Sequence, residues 1–503
     1  MSIELHVAGR ATGKATTLGG DRELVFSSAT HLAARIRTRR VSAVEVLETY
    51  LAQIERHNPT LNAIVTLDLE GARRRAAEAD RAMMQGEVWG PLHGVPITIK
   101  DTLETAGLRT TAGYPPLADH VPTADATVVA RLRQAGAILL GKTNVPPLAL
   151  NFQTENPIFG RTLNPWNTDH TPGGSSGGSA AALAAGMTAL DVGSDLRGSL
   201  RVPAHYSGVY TLKPTEHRIP TTGHIPELPG TPRGVRHMDT VGPLARTVDD
   251  LALALRVMAG PDEGQWEIPP LPAQVPPRLK PARLRLAWTD DFAGVPVAGE
   301  IRAALAGLVQ KLEGLGAQVE RRLPHGFDFM AAWETWGELF QAEFGSTMSP
   351  QEEAEDAQSG GVRPDAPSPE ERGMARALNA TMRQFTATLN RRDDLIGAWE
   401  TFFQSWDALI CPVASTPAIP HWPMDMPIPV DGQEVNYRVA GLAYCSPFNL
   451  TGHPAVVVPV TRSSAGLPIG VQLVGPRWGE ARLLGIAAVL AEVAGPIGRA
   501  PGY

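Results

Sequence analysis

Three consecutive stretches set the fold class: Leu92–Lys100 (LHGVPITIK), Ala126–Ala137 (ATVVARLRQAGA) and Ala137–Gly141 (AILLG). The first is a short apolar run rich in β-branched residues, bounded by glycine on one side and by charge on the other, and reads as a buried strand. The second spaces Val128, Val129 and Leu132 along one helical face, and the third returns to a strand. Alternation of this kind predicts an α/β sheet covered on both faces.

Upstream, a helical period begins at Ser28, with Ala29, Leu32, Ala33 and Ile36 on one face and Val44, Leu47 and Leu51 on the next. Asn58-Pro59 is expected to end that second helix, and a charged helix follows over roughly Leu69 to Met84. Residues 1–27 lack periodicity and are expected to form a loose tail. Downstream, Pro172 to Gly208 is dense in Gly, Ser and Ala, which permits close backbone packing and places the block at the centre of the molecule. Further strands are expected at LRLAWTDD (284–291), AQVERRLP (317–324, an edge), DALICPV (407–413), PAVVVPV (454–460) and GVQLVG (470–475). Helices are expected over Glu300 to Leu315 and Ala481 to Ala494. The polar, Glu/Pro/Gly-rich segment 346–372 reads as an insertion or lid.

Composition narrows the function classes. The 503 residues are 43% hydrophobic and 19% charged, with a net charge of −7, an ordinary globular balance with no basic footprint for nucleic acid. Two cysteines cannot build a disulfide framework or a cysteine zinc site. No uncharged apolar run approaches the ~18 residues of a membrane span, and the N-terminus lacks a signal-peptide core. A cytoplasmic location is expected.

Two motif matches fail on context. Gly136–Thr143 (GAILLGKT) spells a phosphate loop, but its variable residues are themselves the strand and Pro146-Pro147 follow where a helix should start. Gly173–Gly177 (GGSSG) spells a nucleophile elbow, but NTDHTPGG before it is a poor strand, and His453, between Gly452 and Pro454, sits in a turn.

Three other segments suit acyl transfer. PLHGVPITIKDTLETAG (91–107) ends an apolar strand on Lys100; PGGSSGGSAAALAAG (172–186) is a glycine–serine loop entering a helix; VGSDLRGSLRVPA (192–204) is a strand and a tight turn carrying Ser199. A lysine buried at such a strand end can stay neutral and serve as a base, at pKa values of ~7–8. These segments, with GRTLNPW (160–166), LKPT (212–215), VGPLARTVDDLALAL (241–255), LTGHPAVVVPV (450–460) and GLPIGVQLVG (466–475), resemble the amidase signature family from Ser28 onward.

The resemblance implies an α/β/α domain over 28–503, with a mixed central β-sheet between helical layers and a helical extension at 28–85. It implies Lys100 as base, Ser175 after a cis peptide as relay, and Ser199 as nucleophile, 24 residues beyond Ser175. The backbone N–H groups of Leu196, Arg197, Gly198 and Ser199 are the implied oxyanion hole, a device worth ~3–4 kcal/mol per donor. Gly174, Ser176, Asp195 and Arg201 are expected in supporting places, and Asp101 as a loop-fixing carboxylate. The implied reaction is hydrolysis of a small-molecule linear amide, with no metal, organic cofactor, nucleic acid or membrane involved and a homodimer left open. Pocket walls are expected from the 150s, the 220s and 330–375.

One residue departs from the pattern: the family usually has glycine where Arg197 stands. Arginine tolerates positive φ badly, and its side chain would crowd the acyl pocket or hold an acidic substrate. A catalytically impaired member, a non-catalytic binding protein and a glutaminase subunit of a tRNA-dependent amidotransferase are therefore the rivals. TNVPPLALNFQTEN (143–156) lacks the acidic–aromatic run ending in methionine and glycine typical of those subunits.

Overall fold

Continuous apolar strands need cover on both faces, and the architecture supplies it. A computed structural model describes residues 23–225, 227–231, 233–272, 274–347 and 368–503. The expected tail as far as residue 22, and 348–367 of the expected insertion, lie outside the described residues.

Eleven strands form one sheet: β1 (Ile64–Leu67), β2 (Pro96–Lys100), β3 (Ile138–Thr143), β4 (Leu190–Asp195), β5 (Tyr210–Lys213), β6 (Thr240–Ala245), β7 (Arg285–Trp288), β8 (Gln318–Arg321), β9 (Ala408–Pro412), β10 (Ala455–Arg462) and β11 (Pro468–Val474). Their spatial order is β1-β3-β2-β4-β6-β5-β10-β11-β9-β7-β8. The sheet is mixed: β2 runs parallel to both β3 and β4, whereas β4 meets β6 antiparallel. Every residue of β2, β3 and β4 is buried, and β8 is an edge, as AQVERRLP suggested. Because Ile138–Thr143 is strand throughout, GAILLGKT presents no phosphate loop.

The Ala43–Leu61 helix begins with a capping box: Ser42 Oγ accepts from Glu45 N at 3.0 Å and Glu45 Oε2 accepts from Ser42 N at 2.8 Å. It buries Val46, Leu47, Tyr50, Leu51 and Ile54, while Val44, expected on that face, is exposed. The expected stop at Asn58-Pro59 is three residues early. Pro59 sits in the last turn, where its missing N–H forfeits a single bond. The helix ends instead at Asn62 (φ 50°), while Asn58 Oδ1 accepts from Ala63 N and Ile64 N at 3.0 and 2.9 Å.

The glycine–serine–alanine block is central, as its small residues required. Thr171 to Leu183 is buried without a break. A Cβ on Gly178 would lie 2.3 Å from Asn144 N, and one on Gly174 2.7 Å from the Phe152 carbonyl carbon, so both sites demand glycine for close approach.

Candidate active site

Lys100 ends β2 and has no exposed surface. Its Nζ lies 2.7 Å from Ser175 Oγ and 2.9 Å from Ser194 Oγ. Burial lowers its pKa to about 7 against the opposing pull of Asp239, Asp195 and Asp191. At neutral pH a substantial share of the amine is therefore uncharged, with a lone pair to accept a proton.

Ser175 follows a cis peptide bond from Gly174 and is fully buried. Ser176 N donates to the Ser199 carbonyl at 3.1 Å, joining the serine loop to the turn after β4. Ser199 is partly exposed, and among the described residues its hydroxyl makes no hydrogen bond. The structure thus brings Lys100 and Ser175 into contact and sets the Ser199 backbone beside them, with the Ser199 hydroxyl turned free.

The turn that carries Ser199 is held from below by Asp195. Its carboxylate accepts from Gly198 N at 2.7 Å and Leu200 N at 3.1 Å, and pairs with Arg201 at 2.9 and 3.0 Å. Burial would raise this carboxyl, but the Arg201 charge and hydrogen bonds hold it well below the usual range. Arg201 also reaches the Cys445 carbonyl (3.0 Å), Gln472 Oε1 (3.1 Å) and Asn449 Oδ1. The Gly198 N–H is therefore committed to Asp195. Among the described residues the N–H groups of Leu196, Arg197 and Ser199 have no acceptor.

The left-handed backbone of this turn falls on Gly198, at φ 125°, and Arg197 does not share it. The strain expected at Arg197 is absent because the glycine next to it takes the unusual conformation. A Cβ on Gly198 would come within 2.9 Å of Cys445 Cβ. Both cysteines are buried, and burial pushes the Cys445 thiol up to about 12. Arg197 turns its side chain toward the Phe329–Phe344 and Pro369–Ala377 helices, where Glu370 and Trp336 receive it.

Asp101 accepts from Thr111 N and Oγ1 at 3.0 and 2.6 Å, a loop-fixing arrangement. Sequence reading missed Ser194, Asn449 and Gln472. All three are buried, and Gln472 stands inside the apolar run GVQLVG, which is a visible signal, but their partners come from distant segments. Among the described residues no group of three His, Cys, Asp or Glu side chains is placed to hold a metal, and no helix is long and apolar enough to cross a membrane.

The chain as a whole has relatives. A family model described as Amidase matches residues 45–484. An indoleacetamide hydrolase of Bradyrhizobium diazoefficiens is 37% identical, covering 93% of this chain and 86% of its own. A glutamyl-tRNA(Gln) amidotransferase subunit of Synechococcus sp. is 36% identical, covering 90% of this chain and 93% of its own. Among solved structures, 6-aminohexanoate cyclic dimer hydrolase complexed with substrate superposes with a TM-score of 0.77 at 29% identity, covering 95% and 99% of the two chains. The chain belongs to the amidase signature family, hydrolases that act on carbon–nitrogen bonds.

Proposed function

We propose that the chain hydrolyses a small carboxylic amide to a carboxylate and ammonia or an amine, through an acyl-enzyme on Ser199. The carrying observation is a fully buried lysine with a pKa near 7, 2.7 Å from Ser175 Oγ. Ser199 Oγ attacks the amide carbonyl as its proton passes to Ser175, and the Ser175 proton passes to Lys100 Nζ. The ammonium so formed returns a proton through Ser175 to the leaving nitrogen as the carbon–nitrogen bond breaks. Water then cleaves the ester, delivering the carboxylic acid and restoring Ser199. The unengaged N–H groups of Leu196, Arg197 and Ser199 would receive the oxyanion, while that of Gly198 serves the Asp195 support.

Similarity to an indoleacetamide hydrolase puts arylacetamides first in a screen of small amides. A fluorophosphonate probe tests the chemistry. Labelling at Ser199 in the wild type, lost in Ser199→Ala and strongly slowed in Lys100→Met, is the expected result. No labelling between about pH 6 and 9 would overturn it.

Similarity to an amidotransferase component supports a second reading, a glutaminase that supplies ammonia to a tRNA-binding partner. Glutamine hydrolysis that is stimulated by tRNA and a co-purifying partner would favour it. Hydrolysis of simple amides by the isolated chain favours the first.

A further inference from the structure

Arg197 lies in the turn that carries Ser199, yet its side chain leaves that turn. The guanidinium pairs with Glu370 at 3.1 Å and lies over the Trp336 ring, 4.7 Å from its centroid. Both charged side chains are nearly sealed, at 11% and 4% exposure. The Trp336 indole N–H donates to the Leu196 carbonyl at 3.3 Å, so one ring braces both residues that precede Gly198.

Two helices deliver these partners as a unit. Phe329–Phe344 carries Trp336, and Pro369–Ala377 carries Glu370. They cross with backbones touching: a Cβ on Gly337 would lie 1.9 Å from the Glu370 carbonyl oxygen, and one on Gly373 2.0 Å from that of Glu334. Glu370 and Trp336 are thereby fixed relative to each other before Arg197 reaches them.

The ion pair is poorly built as a stabiliser. Among the described residues the buried Glu370 Oε1 has no hydrogen-bond partner. Desolvating two charges offsets most of their attraction unless every lone pair is met, so such a pair adds little net stability and chiefly fixes geometry. What it fixes here is the backbone whose N–H groups are free.

We propose that Arg197 is a positioning residue: through Glu370 and Trp336 it fastens Leu196–Ser199 to the two crossing helices and aims the free N–H groups at the acyl oxygen. This inference rests on the Ser199 acyl-enzyme reading above.

The test compares Arg197→Gly, Arg197→Lys, Glu370→Gln and the Arg197→Gly/Glu370→Gln double variant with the wild type. It measures the phosphonylation rate at Ser199, kcat and KM for a cleaved amide, and the thermal midpoint. Arg197→Gly and Glu370→Gln should each slow phosphonylation and lower kcat by about ten- to a hundredfold, with KM within about twofold. Arg197→Lys should retain part of the activity, because it keeps the charge without the planar fork. In the double variant the stranded carboxylate is gone, so the midpoint should recover relative to Arg197→Gly while kcat stays low. Recovery of kcat together with the midpoint would overturn the proposal in favour of simple packing. A loss confined to KM for substrates bearing a carboxylate would overturn it in favour of a substrate-binding arginine. If the wild type cleaves amides without labelling at Ser199, the acyl-enzyme reading falls. If the wild type labels and all four variants label equally fast, only this inference falls.

Discussion

Lys100 and Lys142 stand on neighbouring parallel strands, each with no exposed surface, and their surroundings differ in kind. The register pairs Ile99 with Lys142 and Lys100 with Thr143, so the two side chains leave the sheet on opposite faces. Lys142 Nζ is ringed by the Leu103 carbonyl (2.5 Å) and the hydroxyls of Thr105 and Thr110 (3.1 and 2.8 Å), with Asp101 at 3.8 Å. Lys100 meets two serine hydroxyls, groups that can donate as readily as accept. Burial lowers both, Lys142 to about 8 and Lys100 to about 7. Thr105 and Thr110 spend their hydroxyl protons on the Leu103 and Leu108 carbonyls, so Lys142 meets acceptors and is a cross-link, whereas the serine hydroxyls beside Lys100 can give and take a proton. Depth alone does not make a base.

The comparison breaks most sharply by truncating each lysine. Lys100→Met should lower kcat by about a thousandfold or more, as should Ser199→Ala, with the urea midpoint unchanged or raised. Lys142→Met should do the reverse, costing about 3–5 kcal/mol of stability by stranding Asp101 and three acceptors, with kcat per folded molecule within severalfold. Equal loss of activity in both would abolish the distinction.

A pH profile sharpens it. Only the neutral amine accepts a proton, so kcat/KM should rise with pH through an acid limb near 7, the Lys100 value. Lys142→Met should leave that limb in place. A limb that follows Lys142 would reassign the base.

Ser194→Ala is expected to have a smaller effect, about tenfold or less in kcat. It removes an acceptor that favours the charged amine, so the acid limb should move to lower pH. An upward shift would mean that Ser194 donates to the amine. Gly178→Ala tests the packing beneath both strands and should cost about 1–3 kcal/mol, since the new methyl meets Asn144 N at 2.3 Å.

Much of this site could be read in one dimension because its parts are local. PITIK announces a buried strand ending in a lysine, and the spacing from Ser175 to Ser199 is carried by one helix, Gly177–Ala184, and one strand, Leu190–Asp195, with short connections. Asp195 and Arg201 could be read as supports, but Asn449 and Gln472, which complete their network from the far end of the chain, could not. Arg197 shows the limit most clearly. Its identity suggested backbone strain, but Gly198 carries the positive φ, and the partner that explains its side chain is Glu370, in the first turn of the Pro369–Ala377 helix at the end of the segment expected as an insertion. A helix end also moved, because one lost hydrogen bond at Pro59 is too little to stop a helix already in its final turn.

The two sealed sulfurs have a practical consequence. Cys411 and Cys445 offer no surface to oxygen, metals or alkylating agents, and burial keeps both thiols protonated at working pH. Handling in air without reductant should therefore leave both thiols intact, and maleimide treatment should spare them as long as the molecule stays folded.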